Sequence, residues 1–237
     1  MKNFDAIAPT PDAIKTATQK LQEPRDSLFE HVAWVYAFCR EHLFRDDTEN
    51  IITALWPNGS PVAGTKLIEL GCGPGFYSRR LARRFPDILV QGVDRSERQL
   101  HCARQRAQEI GLHNCSFTLV DVLELPYGEA RYDALIASRL FTILSEPDRA
   151  IAEIYRVLKP RGRCFIAEPR YVLRASIPLF AMWMLARVTH SGDGYREPRK
   201  ASIFSVEAFK NLFAAQAWQR VQTWQEGRYQ YALCEKG

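Results

Sequence analysis

Residues 66–75, Lys-Leu-Ile-Glu-Leu-Gly-Cys-Gly-Pro-Gly, run a β-prone segment into a turn with glycine at alternate positions. Such a turn lets backbone amides approach a ligand closely and aims the next helix N-terminus at it, which suits a nucleotide-like molecule. The spacing narrows the choice. With Gly71 and Gly73 as the first two glycines, the dinucleotide fingerprint Gly-x-Gly-x-x-Gly needs its third where this chain has Phe76. The glycine available is Gly75, so a pyrophosphate fits poorly. Glu69 adds a carboxylate beside the turn, suited to the amino group or sulfonium end of a cationic cofactor. A solvent-facing strand-end acid is the plain alternative.

Two more acids follow predicted strands. Asp94 lies about 20 residues beyond the turn, where an acid accepts both hydroxyls of a ribose. Asp121 closes the third strand, able to accept from an adenine amino group while Val122 offers an amide and an apolar contact. Any one of these is often a helix cap. Three on one sheet edge define a nucleoside pocket, and with Glu69 the ligand expected is S-adenosylmethionine. Methyl transfer from its sulfonium is an in-line displacement, so burial and alignment supply most of the acceleration, on the order of 7–11 kcal/mol. A base is needed only when the nucleophile must lose a proton. Glu168 and Arg139, at the carboxyl ends of the fifth and fourth strands, are placed where an acceptor should lie, with Tyr171, His190 and Tyr195 as further candidates. A lone loop histidine is more commonly plain surface.

These positions demand a frame. From residue 66, short β-branched runs alternate with amphipathic stretches, the pattern of parallel strands joined by helices. Strands are predicted at 66–70, 88–93, 116–120, 132–137 and 163–167. Leu100, Ala103, Ala107 and Ile110 share one helical face, closed by Gly111. Ser145-Glu-Pro-Asp148 opens a helix striped by Ile151, Ile154 and Leu158 and ended by Lys159-Pro-Arg-Gly162. A helix over 205–217, capped by Ser205 and striped by Phe209, Phe213 and Ala217, leads to runs 219–224 and 228–234. Gln225-Glu-Gly227 between those runs is short enough to require antiparallel strands. The expected fold is α/β, a doubly wound, mostly parallel sheet finished by an antiparallel hairpin.

Two segments stand outside that frame. Residues 1–60 form an expected N-terminal helical appendage to a domain over 61–237, with a capping box at Ser27-Leu-Phe-Glu30, the aromatic stretch Trp34–Phe38 and a helix at about 48–56. Residues 169–204 read as a substrate-side insertion, with apolar Ile177–Ala186 ahead of the loop His190–Gly194. Both are candidate lids. For 177–186, core or dimer packing is the plainer reading, and a wall for a lipophilic acceptor or a peripheral membrane contact the sharper one.

Glu69–Gly75, Val93-Asp-Arg-Ser96, Asp121-Val122 and Arg156-Val-Leu-Lys-Pro-Arg-Gly162 together resemble the class I S-adenosylmethionine-dependent methyltransferase family, in the small-molecule branch that includes ubiquinone and menaquinone methyltransferases. The resemblance covers 66–170 closely and 205–237 more loosely. It implies a Rossmann-like seven-stranded sheet whose last strand is antiparallel, with S-adenosylmethionine as cofactor. It also implies a cofactor site lined by Glu69, Gly71, Cys72, Gly73, Gly75, Asp94, Arg95, Asp121, Val122 and Ser138. One departure matters: many relatives carry a His-His pair after the fourth strand, where this chain reads Ser138-Arg-Leu-Phe-Thr-Ile-Leu144. No family histidine carries over as a base.

Composition closes off other classes. With 46% hydrophobic and 25% charged residues and no repeat, the 237-residue chain is neither disordered nor a solenoid. No apolar run approaches the roughly 20 residues that span a bilayer, and no secretory h-region opens the chain, so a cytoplasmic protein is expected. Six cysteines without a Cys-x-x-Cys pair indicate neither metal site nor disulfide framework. The net charge of +5 permits nucleic-acid methylation. Against it, the chain has neither an Asn/Asp-Pro-Pro-aromatic motif after the fourth strand nor a Pro-Cys dipeptide. A nicotinamide oxidoreductase is disfavoured by Phe76. A non-catalytic S-adenosylmethionine- or partner-binding protein stays open because the His-His pair is missing.

Overall fold

The computed structural model describes residues 45–171 and 203–237. In chain order the elements are α1 (Thr48–Leu55), β1 (Lys66–Leu70), α2 (Phe76–Arg84), β2 (Leu89–Asp94), α3 (Glu97–Glu109) and β3 (Cys115–Leu119). Then come β4 (Tyr132–Ser138), a 3-10 turn (Phe141–Ile143), α4 (Pro147–Val157), β5 (Leu158–Pro169), α5 (Val206–Asn211), β6 (Trp218–Glu226) and β7 (Tyr229–Lys236). The expected helix at Ser27, the 177–186 stretch, His190 and Tyr195 lie outside the described residues.

The strands form one seven-stranded sheet in the order β3-β2-β1-β4-β5-β7-β6. Pairs from β3 to β5 are parallel, and β7 is antiparallel to both β5 and β6. This is the doubly wound sheet with a terminal hairpin that the sequence pattern predicts. Near-continuous apolar strands follow from burial on both faces. Side chains alternate between them: Leu67, Ala134, Ile136, Phe165 and Ala167 pack with α1 and α2, while Ile68, Leu135, Ala137 and Ile166 pack with α4 and α5. α1 therefore buries Ile51, Ile52 and Leu55 in the core shared with the sheet.

Caps and turns agree with the sequence in places and correct it in others. Ser96 and Ser205 cap α3 and α5 by accepting from Gln99 N and Ala208 N. Gly111, at φ +65°, reverses the chain after α3, with its amide on Gln108 O and that of Leu112 on Ala107 O. Ile110 nevertheless leaves the buried stripe at 46% exposure, because the helix has ended at Glu109. For α4, Glu146 rather than Ser145 holds the cap position, without a side-chain bond, and Pro147 opens the helix. That helix stops at Val157. Leu158 belongs to β5, and Lys159–Gly162 bulges between the pairs Tyr132–Leu158 and Ala134–Arg163. The expected 205–217 helix is shorter, since after Leu212 the amides of Phe213, Ala214 and Gln216 bond three residues back and the chain tightens into turns. Ala217 is consequently exposed. The β6–β7 connection is Gly227-Arg228, tighter than expected.

A polar tie of long sequence range is Asn114, buried just before β3. Its Nδ2 lies 2.9, 3.2 and 3.1 Å from the carbonyls of Ala82, Phe85 and Ile88, pinning the α2–β2 connection to β3. Packing under the glycine turn is equally specific. The Phe117 ring on β3 fills the room that Gly92 and Gly75 leave, because a Cβ on either would come within 2.6 Å of it. Gly92→Ala should therefore destabilise the protein by about 1–3 kcal/mol through overpacking. Phe117→Leu should recover part of that loss, so the double variant is less destabilised than the sum of the two single ones. Urea unfolding measures both, and strict additivity would refute the shared contact.

Candidate active site

In an open α/β sheet, ligands bind beyond the carboxyl ends of strands where the strand order reverses. Here β1 leads leftward to β2 and β3, and β4 starts the other half, so the crevice opens between β1 and β4. The glycine turn enters it from one side and Ser138–Leu140 from the other. Gly71, Gly73 and Gly75 all adopt the left-handed backbone, at φ +63°, +52° and +71°. A Cβ on Gly71 would sit 2.9 Å from Leu140 Cδ1, so the two loops touch across the crevice. Gly75 is small for a different reason. It is the N-cap of α2 and lies against Phe117 and Ala103, so its missing side chain serves packing.

Gly75 has no side chain with which to cap α2, and Glu69 does so from β1. Its buried Oε2 accepts from the amide of Ser78 at 2.8 Å and from Ser78 Oγ at 2.5 Å. An anion there also meets the positive end of the helix dipole. Asp94 works similarly at the end of β2: Oδ2 accepts from Gly73 N at 2.8 Å and Oδ1 from Ser96 N at 2.9 Å. Burial pushes its carboxyl above the usual range, against the pull of those amides. Each oxygen keeps a further lone pair for a hydroxyl donor. Asp121 Oδ1 accepts from Leu123 N at 2.9 Å, and its Oδ2 meets no donor among the described residues.

Other expected cofactor residues divide by where their side chains go. Cys72 packs with Leu100, Ala103 and Phe117, burial raises its thiol pKa well, and only its backbone belongs to the crevice. Val122 is buried in the core under α4. Arg95 is exposed. Ser138 is the opposite case: its Oγ is out of solvent contact and has no hydrogen-bond partner among the described residues. A buried hydroxyl without a partner is uncommon, and here it stands at the mouth of the crevice.

Beyond Ser138 the chain turns sharply. Arg139 holds φ +58° with its amide on Ala167 O. Its guanidinium donates to Tyr229 OH at 3.0 Å and Arg45 O at 3.2 Å and lies 5.0 Å over the Tyr229 ring. Residues that the sequence reading missed complete this wall. Asp47, 1% exposed, accepts from Tyr231 OH at 2.9 Å and pairs with Arg45 at 2.9 Å. Tyr229 and Tyr231 flank the hairpin turn that the sequence does reveal. Their link to Asp47 spans 184 positions, and no local signal announces it. Tyr171 is more than half exposed, with the Arg170 guanidinium 5.5 Å from its ring.

Glu168 differs from its expected role. It is fully buried, with Oε1 accepting from the amides of Leu140 and Phe141 at 2.8 Å each and Oε2 from Thr142 at 3.4 Å. Burial pushes its carboxyl up to about 7, with the three amides and Arg139 pulling the other way. A value near neutrality is what a general base needs. The geometry assigns it otherwise, because both oxygens face backbone amides and the side chain has no exposure. The native state thus holds this proton to a higher pH than the unfolded chain does. The group's relative contribution to stability is full below about 4.5 and falls as pH rises through about 7, where the three-amide carboxylate takes over. Relative to non-titrating Glu168→Gln, the native protein should lose on the order of 2 to 3 kcal/mol between about pH 5 and about pH 8. Urea unfolding across that range reads the difference, and parallel pH slopes for the two proteins would refute it.

The fold is shared with known proteins. A SAM-dependent methyltransferase from Aquifex aeolicus superposes with a TM-score of 0.63 at 18% identity, over 86% of this chain and 98% of that one, a likeness of fold. Methyltransferase GfsG of Streptomyces halstedii is 30% identical over 165 residues, 60% of this chain and 59% of the relative. A 2-phytyl-1,4-naphtoquinone methyltransferase of Nostoc sp. is 32% identical over 132 residues, 55% of this chain and 57% of the relative. The chain thus spans less than two thirds of the length of these curated relatives. The family model of a methyltransferase domain matches residues 61–229, well over half of the chain, and the chain belongs to that family.

Proposed function

We propose that this chain transfers a methyl group from S-adenosylmethionine to a small, lipophilic or aromatic acceptor. One observation carries the reading: at the β1–β4 switch point, left-handed Gly71 and Gly73 open the backbone to a ligand beside Asp94, which is already anchored to the turn through Gly73 N. Family membership supports it. The residues fit the cofactor. In this reading Asp94 accepts the ribose hydroxyls and Asp121 accepts from the adenine amino group, and Ser138 Oγ, without a partner among the described residues, offers a further contact. Bound S-adenosylmethionine supplies an electrophilic methyl group on a sulfonium.

This chain's own work is then to bind, align and exclude water. The glycine turn and the Ser138–Leu140 loop set the two sides of the crevice. Arg139 and Tyr229, locked to each other, form a rigid aromatic and cationic wall at the acceptor end. A ring acceptor suits that wall, and the naphtoquinone named in one relative supports the choice. Glu168, buried and occupied, cannot reach an acceptor proton. A nucleophile that must lose a proton therefore gives it to water or to a residue other than Glu168, with His190 and Tyr171 kept as candidates from their sequence positions.

Two measurements test this reading. Asp94→Ala should lower S-adenosylhomocysteine affinity on the order of 30-fold, about 2 kcal/mol, by removing charge-assisted bonds to the ribose. Calorimetry decides it, and unchanged affinity in the folded variant would overturn the site assignment. Incubation with methyl-tritiated S-adenosylmethionine should label reduced quinones or other phenolic acceptors with little dependence on salt. Label appearing instead in RNA, with steep salt dependence, would replace the small-molecule reading by a nucleic-acid one. Tight cofactor binding with no label in any acceptor would favour a binding protein.

A further inference from the structure

We propose that Glu168 is a positioning residue for the cofactor site: its carboxylate fixes the loop after β4 so that Leu140 is held against the Gly71 turn. The assignment rests on the cofactor reading above and adds to it a residue that touches no ligand. Three contacts in series carry it. Glu168 closes β5 and gathers the successive amides of Leu140, Phe141 and Thr142, which begin the 3-10 turn and have no partners of their own within it. Arg139 adopts the left-handed backbone, rare for a residue with a side chain, and so swings those amides back toward β5. Leu140, 5% exposed, then presents Cδ1 to Gly71 at a distance where even a Cβ would collide.

The chemistry of the site argues against packing alone. A fully buried acid is costly unless it is hydrogen-bonded, and an apolar side chain of similar size would fill the same space without that cost. What it could not do is accept three amides. Opposite Glu168 on β7 stands Gln230, which donates to Phe204 O and whose Oε1 has no partner among the described residues. The nearby Arg139 guanidinium, a donor only, cannot replace the carboxylate as an acceptor for those amides. Ser138, whose Oγ is buried without a partner among the described residues, immediately precedes the loop that Glu168 holds. Moving that loop would therefore disturb both the Gly71 turn and the hydroxyl beside it.

The test uses the full chain with S-adenosylhomocysteine as probe. Glu168→Leu should lower affinity at least about tenfold while cooperative unfolding is retained, with amide exchange at 140–142 raised by at least about tenfold. Glu168→Gln keeps one carbonyl oxygen for Leu140 and Phe141 and should recover part of both losses. Leu140→Ala should also weaken binding, and combined with Glu168→Leu it should add little, since both act through one loop. Cys234→Ala, a fully buried β7 position away from the loop, is the control and should stay within about twofold of the native affinity. A folded Glu168→Leu that binds like the native protein, or a Cys234→Ala that loses as much, would overturn the proposal. Should Glu168→Leu not fold, unchanged affinity in both Glu168→Gln and Leu140→Ala would overturn it. Native protein that binds no S-adenosylhomocysteine would refute the cofactor reading itself, a result distinct from loss of the Glu168 link alone.

Discussion

A carboxylate at a strand end, taking the backbone amides of the loop ahead of it, is the interaction on which this crevice depends. Glu69, Asp94 and Glu168 make it from β1, β2 and β5, and Asp121 from two residues beyond β3. The reason is geometric. Parallel strands end on one edge, and the loops leaving them turn at once into helices or tight turns whose first amides have no internal partners. A side chain from the preceding strand, or from a neighbouring one, is the nearest acceptor. A negative charge suits the role because the helix dipole is positive there.

That arrangement gives the acids two duties. Asp94 anchors Gly73 and Ser96, yet each of its oxygens retains capacity for another donor, so it can order the turn and meet a ribose together. Glu69 and Glu168 are more deeply committed, each buried and holding backbone amides of a segment that borders the crevice. The glycines divide in the same way. Gly71 keeps the crevice narrow against Leu140, while Gly75 and Gly92 are small to admit Phe117 beneath the turn. A motif that reads as one ligand-binding signature is, residue by residue, partly a packing requirement.

This division explains what was legible in the sequence. Strand and helix periodicity, the Gly71–Gly75 turn and the short hairpin are local patterns, and the sheet follows from them with small errors at the ends. The misjudged ends, at 158–162 and 212–217, lie where the chain leaves a helix through bulges or tight turns that no periodicity records. Glu168 stands at the strand end where the sequence places it, while what its oxygens bond is not readable there. Its place after β5 is visible in the chain, whereas the amides it faces come from residues 140–142 and only the β4–β5 pairing brings them near. The Asp47–Tyr231 bond was invisible for the same reason, since its partners are close only once β7 lies beside β5.

A carboxyl near neutrality invites a catalytic role, and Glu168 shows why that inference needs geometry before chemistry. Desolvation raises the pKa of any buried acid, whether or not a substrate can reach it. What separates a base from a clamp is the direction of its oxygens, and here they face the protein's own backbone. For a methyl transfer the distinction has a physical consequence. The donor is already activated by its positive charge, so alignment to a fraction of an ångström matters more than a proton acceptor. An acid that fixes the loop beside the glycine turn sets the crevice's shape, and the paired Arg139 and Tyr229 inherit their position from the same loop, because Arg139 is the residue at which that loop turns.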